Sequence, residues 1–561
     1  MTVKKFFELE SLPGDSREIT KSEEEIYCEE HFVKTYKRDQ TGRFIVQLPL
    51  KENAESVLGS SKENAIKRLN GIWNKLNKNN TMETLYKEFM REYENLGHME
   101  EIKNEIMDKV NYYIPHNAIF KPEKTSAPFR VVFDASVKTT SGFSLNSILL
   151  NGGIIQQDLF SIVSRFRKHK FAFSADIKKM YRQILIDPNQ RDLQRIVWKI
   201  SADASVKVYK LSTVTYGTVS APFLATRTLK ALADEERKDF PKAADVICSD
   251  IYMDNILSGE ATIEDAKKLQ AQICELFLRA GFELHKWLSN SPDLLQDLSK
   301  SSYSFDKGQD PGPVKTLGML WDPKVDCLTY EVKIKDKDSF SKREVPSEIA
   351  RLYDPLGLIG PIITKAKIFI QGLWKIKLDW SEQLPPDALK EWKSFYLKLS
   401  ECFTESGQFK TSLLCSKSRV APLKTLTIPR LELSAALLLS RFVKKFVTIL
   451  QLPIVEISLW TDSTIVLAWI KTEPDKLKTF ISNRVGEIQT LKEDCHWKHI
   501  CSKKNPADLI SRDCHADELL KNDMWFSGPD LQTDELEDNQ FIPDPTYVDE
   551  LKCAVTLTCN S

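Results

Sequence analysis

The stretch VICSDIYMDNILSG, residues 246–259, decides how the larger part of this chain is expected to fold. Its apolar residues alternate with other residues, which predicts a strand, and the alternation is interrupted at Met253-Asp254-Asn255, where we expect a tight turn. Aspartate and asparagine both tolerate positive φ, so Asp254 and Asn255 would also suit a hairpin without any further role. The stretch therefore predicts a β-hairpin that carries one carboxylate and one amide at its tip.

A second carboxylate is expected at the end of another strand, earlier in the chain. FAFSADIKKMYRQILID, residues 171–187, begins with alternating apolar residues that end at Asp176, and Tyr181 follows shortly after. An aspartate at a strand end is more often a solvated boundary residue than a ligand. Nucleotidyl transfer, however, needs acids from separate segments that converge on a pair of Mg²⁺ ions. Because Mg²⁺ favours one or two protein carboxylates plus substrate phosphates, the presence of only two acids, Asp176 and Asp254, does not by itself exclude such a site.

The length and composition of the chain indicate several folded domains. The chain has 561 residues, of which 42% are hydrophobic and 28% charged, as in globular domains rather than disordered ones. Its formal net charge is zero, which does not by itself indicate a polyanionic partner. The start MTVKKFFELE is charged where a signal peptide is apolar, and no apolar run is long enough to cross a bilayer. We therefore expect a protein that is not secreted, has no membrane partner, and resides in the cytoplasm or nucleus.

Segments spread along the chain resemble the reverse transcriptase of BEL/Pao-class retrotransposons. They occur in the order of the family's fingers and palm blocks and are RVVFDAS (130–136), SLNSILLNGG (144–153), SADIKKMYRQI (174–184), TYGTVSAPFLATRTLKALA (215–233), YMDNILSG (252–259), GFELHKWLSN (281–290) and LGMLWD (317–322). FELE (7–10) and GRFIVQLPL (42–50) upstream are also similar to the family. The resemblance implies a multidomain α+β fold, with reverse-transcriptase fingers, palm and connection followed by an incomplete ribonuclease H-like α/β domain.

The resemblance and the changes of sequence composition along the chain divide it into successive parts. We expect a helical N-terminal lead-in over 1–110, fingers and palm over 111–305, a primer-grip and thumb–connection region of Pao type over 306–400, a truncated ribonuclease H-like domain over 401–515 and an irregular tail over 516–561. The chain is thus expected to be a fragment of a Pol polyprotein. The region around YDPLGLIGP (353–361) resembles one filed under a Pao peptidase label, but it contains no Asp-Thr-Gly or Asp-Ser-Gly loop for proteolysis.

The same resemblance implies roles for individual residues. Asp176 and Asp254 would bind two Mg²⁺ ions, with Mn²⁺ as a substitute, and Tyr181 would stack beneath the incoming sugar. Arg130 would reach the triphosphate from the fingers, although a solvated strand arginine is the plainer interpretation. Gly217 would let the backbone approach nucleotide and template, which a Cβ would obstruct. The implied partners are an RNA or DNA template–primer duplex and deoxynucleoside triphosphates, and the oligomeric state stays open.

Asn255 departs from the family pattern, in which a second aspartate completes a Tyr-x-Asp-Asp catalytic turn. Its amide offers an oxygen but no charge to balance two divalent cations. Asp250 would not replace it, because at about 3.3 Å per residue it lies roughly 13 Å back along the predicted strand. Loss of one preorganised electrostatic group costs on the order of 10²–10³ in rate. We therefore expect a polymerase that works slowly or not at all.

A second set of acids lies in the later part of the chain. RLELSAALLLSRFVKKF (430–446) predicts an amphipathic helix with Glu432 near its start and apolar residues at 431, 435, 438, 439, 442 and 446. VEISLWTDSTIVLAWI (455–470) predicts a strand that ends at Asp462, followed by a helix capped by Ser463 or Thr464. Acids at such positions ordinarily complement a helix dipole or end a strand.

A third acid of this set follows in KKNPADLISR (503–512), where Asp508 is expected in the first helical turn. Together with the SKSRVAPLKTLTIPRLEL segment, which resembles the same family, Glu432, Asp462 and Asp508 match three of the four carboxylates of ribonuclease H. The fourth is absent, because the segment between Ser400 and Thr411 has no β pattern and carries only Glu401 and Glu405 as acids. We expect an incomplete sheet with an unpaired edge and no hydrolysis of RNA–DNA hybrid.

Two interpretations from different classes stay open at this point. The first is an RNA-directed DNA polymerase impaired by Asn255, and the second is a non-catalytic nucleic-acid-binding relic or domesticated protein. Both predict duplex binding that weakens as salt rises. They differ in Mg²⁺-dependent incorporation of nucleotides. A third possibility is a protein that never accumulates because its nuclease core is incomplete. It would differ from the other two in showing no cooperative unfolding transition.

Overall fold

The protein has a multidomain α+β fold, which confirms the fold class predicted from the sequence. The computed structural model describes residues 21–103, 110–122, 128–296, 314–316, 319–330, 337–350, 352–404, 413–422, 426–454, 457–491, 495–511, 518–519, 521–529 and 544–551. FELE at 7–10, the segment 405–412 with Glu405, and most of the predicted tail lie outside these residues.

The helices lie along almost the whole described chain. In chain order they are α1 (Glu23–Thr35), α2 (Ala54–Val57), α3 (Lys62–Leu76), α4 (Asn80–Asn95), α5 (Leu145–Ile148), α6 (Leu159–Phe166), α7 (Met180–Gln183), α8 (Ala221–Glu236), α9 (Pro241–Ser249), α10 (Ile263–Leu278), α11 (Pro292–Gln296), α12 (Glu344–Ile349), α13 (Gly360–Lys375), α14 (Pro386–Thr404), α15 (Ile428–Leu450), α16 (Thr464–Lys471), α17 (Thr479–Thr490), α18 (Asp508–Ser511) and α19 (Asp523–Ser527). Within the described residues, no helix has the combination of length and hydrophobicity that a membrane-spanning segment requires.

The strands are short and lie mostly before residue 330. In chain order they are β1 (Lys37–Arg38), β2 (Phe44–Val46), β3 (Met99–Glu101), β4 (His116–Phe120), β5 (Phe129–Phe133), β6 (Phe171–Ile177), β7 (Leu185–Ile186), β8 (Arg195–Trp198), β9 (Lys207–Leu211), β10 (Ile251–Tyr252), β11 (Asn255–Glu260), β12 (Leu284–Ser289), β13 (Val314–Thr316), β14 (Met319–Asp322), β15 (Cys327–Thr329), β16 (Ile457–Thr461) and β17 (Cys495–His499).

The chain divides into two compact units. The N-terminal unit comprises residues 16–158 and 169–309, and the C-terminal unit comprises residues 1–15, 159–168 and 310–561. The N-terminal unit contains a four-stranded antiparallel sheet of order β10-β11-β6-β12, which we call the central sheet. Residues 172–175 of β6 are all buried, whereas the apolar alternation in 171–177 predicts burial of every second residue. Helices α8, α9 and α10 belong to the same unit.

The helices of the predicted lead-in share one hydrophobic core with the central sheet. Ser22 and Glu25 form a capping box that starts α1, and Ser61 directly precedes α3. Trp73 of α3 stacks on Trp198 with ring centroids 5.7 Å apart. The core runs without interruption from Cys28 to residues of β12 and α11, so the helices before residue 110 belong to the N-terminal unit.

The C-terminal unit has several smaller hydrophobic clusters. Helix α6, although it precedes β6 in the chain, belongs to this unit, because Phe166 packs edge-on against Trp321 of β14 at 5.0 Å. The strands β13, β14 and β15 form an antiparallel sheet in this order. Strands β16 and β17 pair in parallel, and the part of the unit that the structure describes adds no further strand to this sheet.

The buried face of α15 differs from the predicted one. Of the positions 431, 435, 438, 439, 442 and 446, only Phe442 is buried. Leu433, Ala436 and Leu437 pack instead into the cluster formed with α16 and α17. The helix is contacted on a further side by Phe160 of α6, which lies against Phe442 at 5.4 Å. A single amphipathic stripe was therefore the wrong expectation for a helix that packs against two neighbours.

Candidate active site

The central sheet brings the acids of the two predicted segments together. Asn255, the first residue of β11, lies directly opposite Asp176 in the antiparallel register with β6. The Ile177 backbone N–H donates a hydrogen bond of 2.7 Å to the backbone carbonyl of Asp254. Asp176 and Asp254 therefore lie at the same end of the sheet, as the sequence predicts. Asp254 is exposed at the turn and Asp176 is half-buried beside it.

The negative charge of Asp176 affects the ionisation of Asp254. Although Asp254 is exposed as a residue, the surrounding chain removes part of the water around its carboxyl group, which raises its pKa above the ordinary value, and the negative charge of Asp176 raises it further. The Lys286 ammonium and a hydrogen bond of 3.1 Å from Asn255 Nδ2 to Asp254 Oδ1 oppose this rise in the pKa. The site is thus an acidic pair whose mutual repulsion a cation would relieve.

The protein supplies one cation to this pair itself. Lys286 Nζ lies 2.9 Å from Asp176 Oδ2. Lys286 has φ +52° and sits on a β-bulge of β12, where the register with β6 shifts between His285 and Leu288. His285 is paired with Asp176 on the other side of β6 from Asn255. The sequence GFELHKWLSN does not indicate that Lys286 lies near Asp176, because this approach depends on the bulge in β12.

Asp250 does not belong to the site, but the reason differs from the predicted one. The stretch before it is not a strand: α9 extends to Ser249, and Asp250 is its C-cap residue with φ −116°. Its carboxylate is buried and accepts a hydrogen bond of 3.0 Å from Ser258 Oγ. The predicted extended strand before the turn was therefore wrong, and only Ile251 and Tyr252 form β10.

Tyr181 and Gly217 lie in the same unit as the acidic pair. Tyr181 is half-buried in α7, and burial raises its pKa, with a further rise from the negative charge of Asp254. Gly217 has φ +101°, and a Cβ at this position would lie 2.2 Å from the Phe133 carbonyl oxygen. Glycine is therefore required here by the backbone of β5, a reason that the sequence did not indicate.

Arg130 lies on the hairpin of β4 and β5. It is paired with Ile119 and its side chain is exposed. Among the described residues, Arg130 forms no hydrogen bond or ion pair with Asp176 or Asp254. The structure therefore does not place Arg130 in contact with the acidic pair.

The residues of the acidic pair suit a magnesium ion by their chemistry. Two carboxylates and one amide oxygen at a sheet end are hard oxygen donors, and Mg²⁺ is commonly held by one or two carboxylates with water and substrate phosphates. Among the residues that the structure describes, no three His, Cys, Asp or Glu side chains form a group able to hold a metal ion. Asp176 and Asp254 would therefore have to bind a metal as a pair, without a third acid.

The acids of the predicted nuclease remnant lie on elements that pack into different clusters. Glu432 is half-buried in α15, and Asp462 follows β16. Both elements contribute to one hydrophobic cluster, through Leu433 and Leu459. Asp508 begins α18, whose Leu509 packs with a cluster around Trp525. Ser463 caps α16 as predicted, accepting a hydrogen bond from the Val466 N–H. Within the described chain the three acids do not form a three-ligand group.

One family model matches part of the chain. Residues 341–405 and 395–463 match the model of the Pao retrotransposon-like RNaseH-like domain. This match confirms the predicted resemblance to Pao-type retrotransposons over the matched residues. The matched segment begins within the predicted thumb–connection region and ends just after Asp462. None of the curated proteins matches the chain.

The solved structures that are similar to the chain include two of a foamy viral protease-reverse transcriptase. One is the foamy viral protease-reverse transcriptase dRH in complex with double-stranded DNA, with 14% identity over 73% of this chain and 68% of that chain and a TM-score of 0.46. The other is the foamy viral protease-reverse transcriptase in complex with an RNA/DNA hybrid, with 12% identity over 76% of this chain and 54% of that chain and a TM-score of 0.47. The chain spans about half the length of the latter protein.

Proposed function

We propose that this chain is a retrotransposon-derived RNA-directed DNA polymerase whose nucleotidyl transfer is impaired by Asn255. The observation that carries the proposal is the register of the central sheet, in which Asn255 stands opposite Asp176 and follows Asp254 at the turn. The proposed partners are an RNA or DNA template–primer duplex and deoxynucleoside triphosphates. The division into fingers and palm over 111–305 and a Pao-type connection over 306–400 is part of the same proposal, as is a location in the cytoplasm or nucleus.

The chemistry of the proposed reaction distributes roles among the residues of the chain. When bound, two Mg²⁺ ions, or Mn²⁺ in their place, would activate the attacking hydroxyl and neutralise the leaving pyrophosphate. Asp176 and Asp254 are the residues that would hold them. Tyr181 would lie beneath the incoming sugar and exclude a 2′-hydroxyl, and Arg130 would bind the triphosphate. Gly217 would keep a side chain away from nucleotide and template.

The impairment follows from the charge at the turn. Asn255 contributes no negative charge, and its amide already donates to Asp254. Without a third carboxylate, the positive charge of two divalent cations at Asp176 and Asp254 would be neutralised less completely. A missing preorganised electrostatic group costs on the order of 10²–10³ in rate. We therefore propose residual activity at most for the chain as it stands.

The nuclease part is proposed to be an inactive remnant of ribonuclease H. Its remaining acids are Glu432, Asp462 and Asp508, which in the described chain do not form a three-ligand group. Incubation with a labelled RNA–DNA hybrid and Mg²⁺ is expected to leave the RNA strand intact. Cleavage that requires Mg²⁺ and disappears in Asp462→Asn would contradict this part of the proposal.

A second candidate function is non-catalytic binding of nucleic acid. The ion pair between Lys286 and Asp176 favours it, because it gives the acidic site a cation without any metal. This candidate predicts binding of a primer–template duplex that weakens with rising salt, as the polymerase does. It predicts no Mg²⁺-dependent incorporation in any variant.

Primer extension on an RNA template tests the proposal. We expect trace extension by the wild type and an increase of about 10²–10³-fold in Asn255→Asp, which restores the third carboxylate. Asp254→Asn is the control and is expected to extend nothing. Full activity of the wild type would refute the impairment. No extension by Asn255→Asp, with duplex binding retained, would favour the non-catalytic candidate instead.

A further inference from the structure

The turn that carries Asp254 has an unusual backbone. Tyr252 and Asn255 are paired across the hairpin of β10 and β11, so Met253 and Asp254 form a two-residue loop. Met253 has φ +56°, a left-handed conformation that glycine adopts readily and other L-residues only at a cost in free energy. Such a conformation persists when neighbouring groups fix it. A specific partner of Met253 is therefore expected.

The partner is a glutamine from a distant segment. In a two-residue hairpin the N–H of the first loop residue has no acceptor within the hairpin. The Met253 N–H donates instead to Gln156 Oε1, at 2.8 Å. Gln156 lies in the irregular segment between α5 and α6, far from the turn in sequence.

The surroundings of Gln156 leave its side chain room to move. Gln156 is half-buried and borders a cavity of about 90 Å³, together with Ile155, Thr226 and Ile251. A side chain next to a cavity is not held by close packing alone. The hydrogen bond to Met253 therefore contributes to orienting Gln156 toward the turn.

We propose that Gln156 is a positioning residue that holds Met253 in its left-handed conformation and thereby keeps Asp254 beside Asp176. It acts on the backbone of the turn and touches neither substrate nor metal. The inference rests on the proposed function only for its consequence, the strength of metal binding by the acidic pair. Its structural part, the fixation of the turn, stands independently of catalysis.

The neighbouring glutamine provides a matched control. Gln157 is exposed and has no hydrogen bond among the described residues. Gln156→Met removes the acceptor at nearly constant side-chain length, and Gln157→Met makes the same change next to it. Gln156→Glu keeps an oxygen that can accept from Met253. Met253→Gly makes the left-handed conformation available without help.

The first measurement is amide hydrogen exchange, by mass spectrometry of the full chain, in the peptide that spans the turn. We expect Gln156→Met to speed exchange there by about two- to tenfold, the effect of one hydrogen bond. Gln157→Met and Gln156→Glu are expected to exchange as the wild type does. Equal exchange in Gln156→Met and Gln157→Met would overturn the proposal.

The second measurement is Mn²⁺ binding followed by electron paramagnetic resonance. Gln156→Met is expected to weaken binding by about two- to tenfold, and in a Met253→Gly background by less than about twofold. An equal loss in both backgrounds would contradict a role through Met253. If Asp254→Asn leaves Mn²⁺ binding unchanged, the proposed function fails, whereas the exchange measurement still decides the role of Gln156.

Discussion

Lys286 and Asp176 form an ion pair in which the ammonium nitrogen lies 2.9 Å from a carboxylate oxygen of a proposed metal ligand. The backbone of Lys286 is left-handed, at φ +52°, on the bulge of β12 that places the residue there. The lysine side chain is 61% exposed, so it can leave Asp176 for water at little cost. The protein thus carries a replaceable cation at the position where a divalent ion would bind.

Replacement of Lys286 is expected to strengthen binding of divalent cations. In Lys286→Met the competing charge is gone, and the affinity for Mn²⁺ should rise by about two- to fivefold, the value of one exposed ion pair. Lys178→Met is the matched control, because Lys178 pairs with Glu283 at 2.7 Å and not with Asp176. Titration with Mn²⁺ measures both. Weaker binding in Lys286→Met than in the control would show that the lysine supports the metal site rather than competes for it.

Gly217 is expected to be required for stability. Gly217→Ala places a Cβ against the Phe133 carbonyl and forces alanine to φ +101°, so it should lower the free energy of unfolding by on the order of 1–3 kcal/mol or more. Gly71, in the exposed interior of α3, has nothing within 4 Å of an added Cβ. Gly71→Ala should stabilise by about 0.5–1 kcal/mol. Urea denaturation of both variants measures these changes in the free energy of unfolding. Similar stability of the two variants would contradict a close contact between Gly217 and the Phe133 carbonyl of β5.

The pKa of Asp254 predicts a pH-dependent effect on stability. A folded-state pKa raised above the ordinary value of 3.8 means that the ionised carboxylate destabilises the native state. This cost is present at neutral pH and disappears as the pH falls through the folded pKa toward the ordinary value. Asp254→Asn should therefore unfold at a higher temperature than the wild type at about pH 7. This difference in melting temperature should vanish at about pH 4.

Thermal melts of the two proteins without metal measure this difference. Asp203→Asn, on an exposed turn, is the control for removal of one carboxylate. A gain in melting temperature that is the same at both pH values would contradict the electrostatic cause. A loss of stability in Asp254→Asn at neutral pH would show that its hydrogen bond with Asn255 outweighs the charge.

The parts of the site that could be predicted are those encoded locally. Alternating apolar residues that end in an acid predicted the position of Asp176 at a strand end, and the turn residues predicted the position of Asp254 and Asn255 at a hairpin turn. Cap residues such as Ser463 likewise depend on a few neighbours in the chain. These signals need no knowledge of distant segments.

The parts that could not be predicted depend on contacts between distant segments. The alternation before Asp250 looked like a strand, but α9 continues through it, because its apolar residues also fit the buried side of a helix. Lys286 reaches Asp176 only through a bulge, and Gln156 reaches Met253 only through the path of a loop. The buried face of α15 is shared between two neighbouring clusters, which a single helical stripe does not represent.

The most direct test of a shared metal site is a double-mutant cycle of Mn²⁺ binding over Asp176→Asn and Asp254→Asn. If both carboxylates hold the same ion, each single replacement should remove most of the binding, and the double replacement should be no worse than either one. Losses that add independently, or wild-type affinity in both single variants, would contradict the claim that the two aspartates act on one cation.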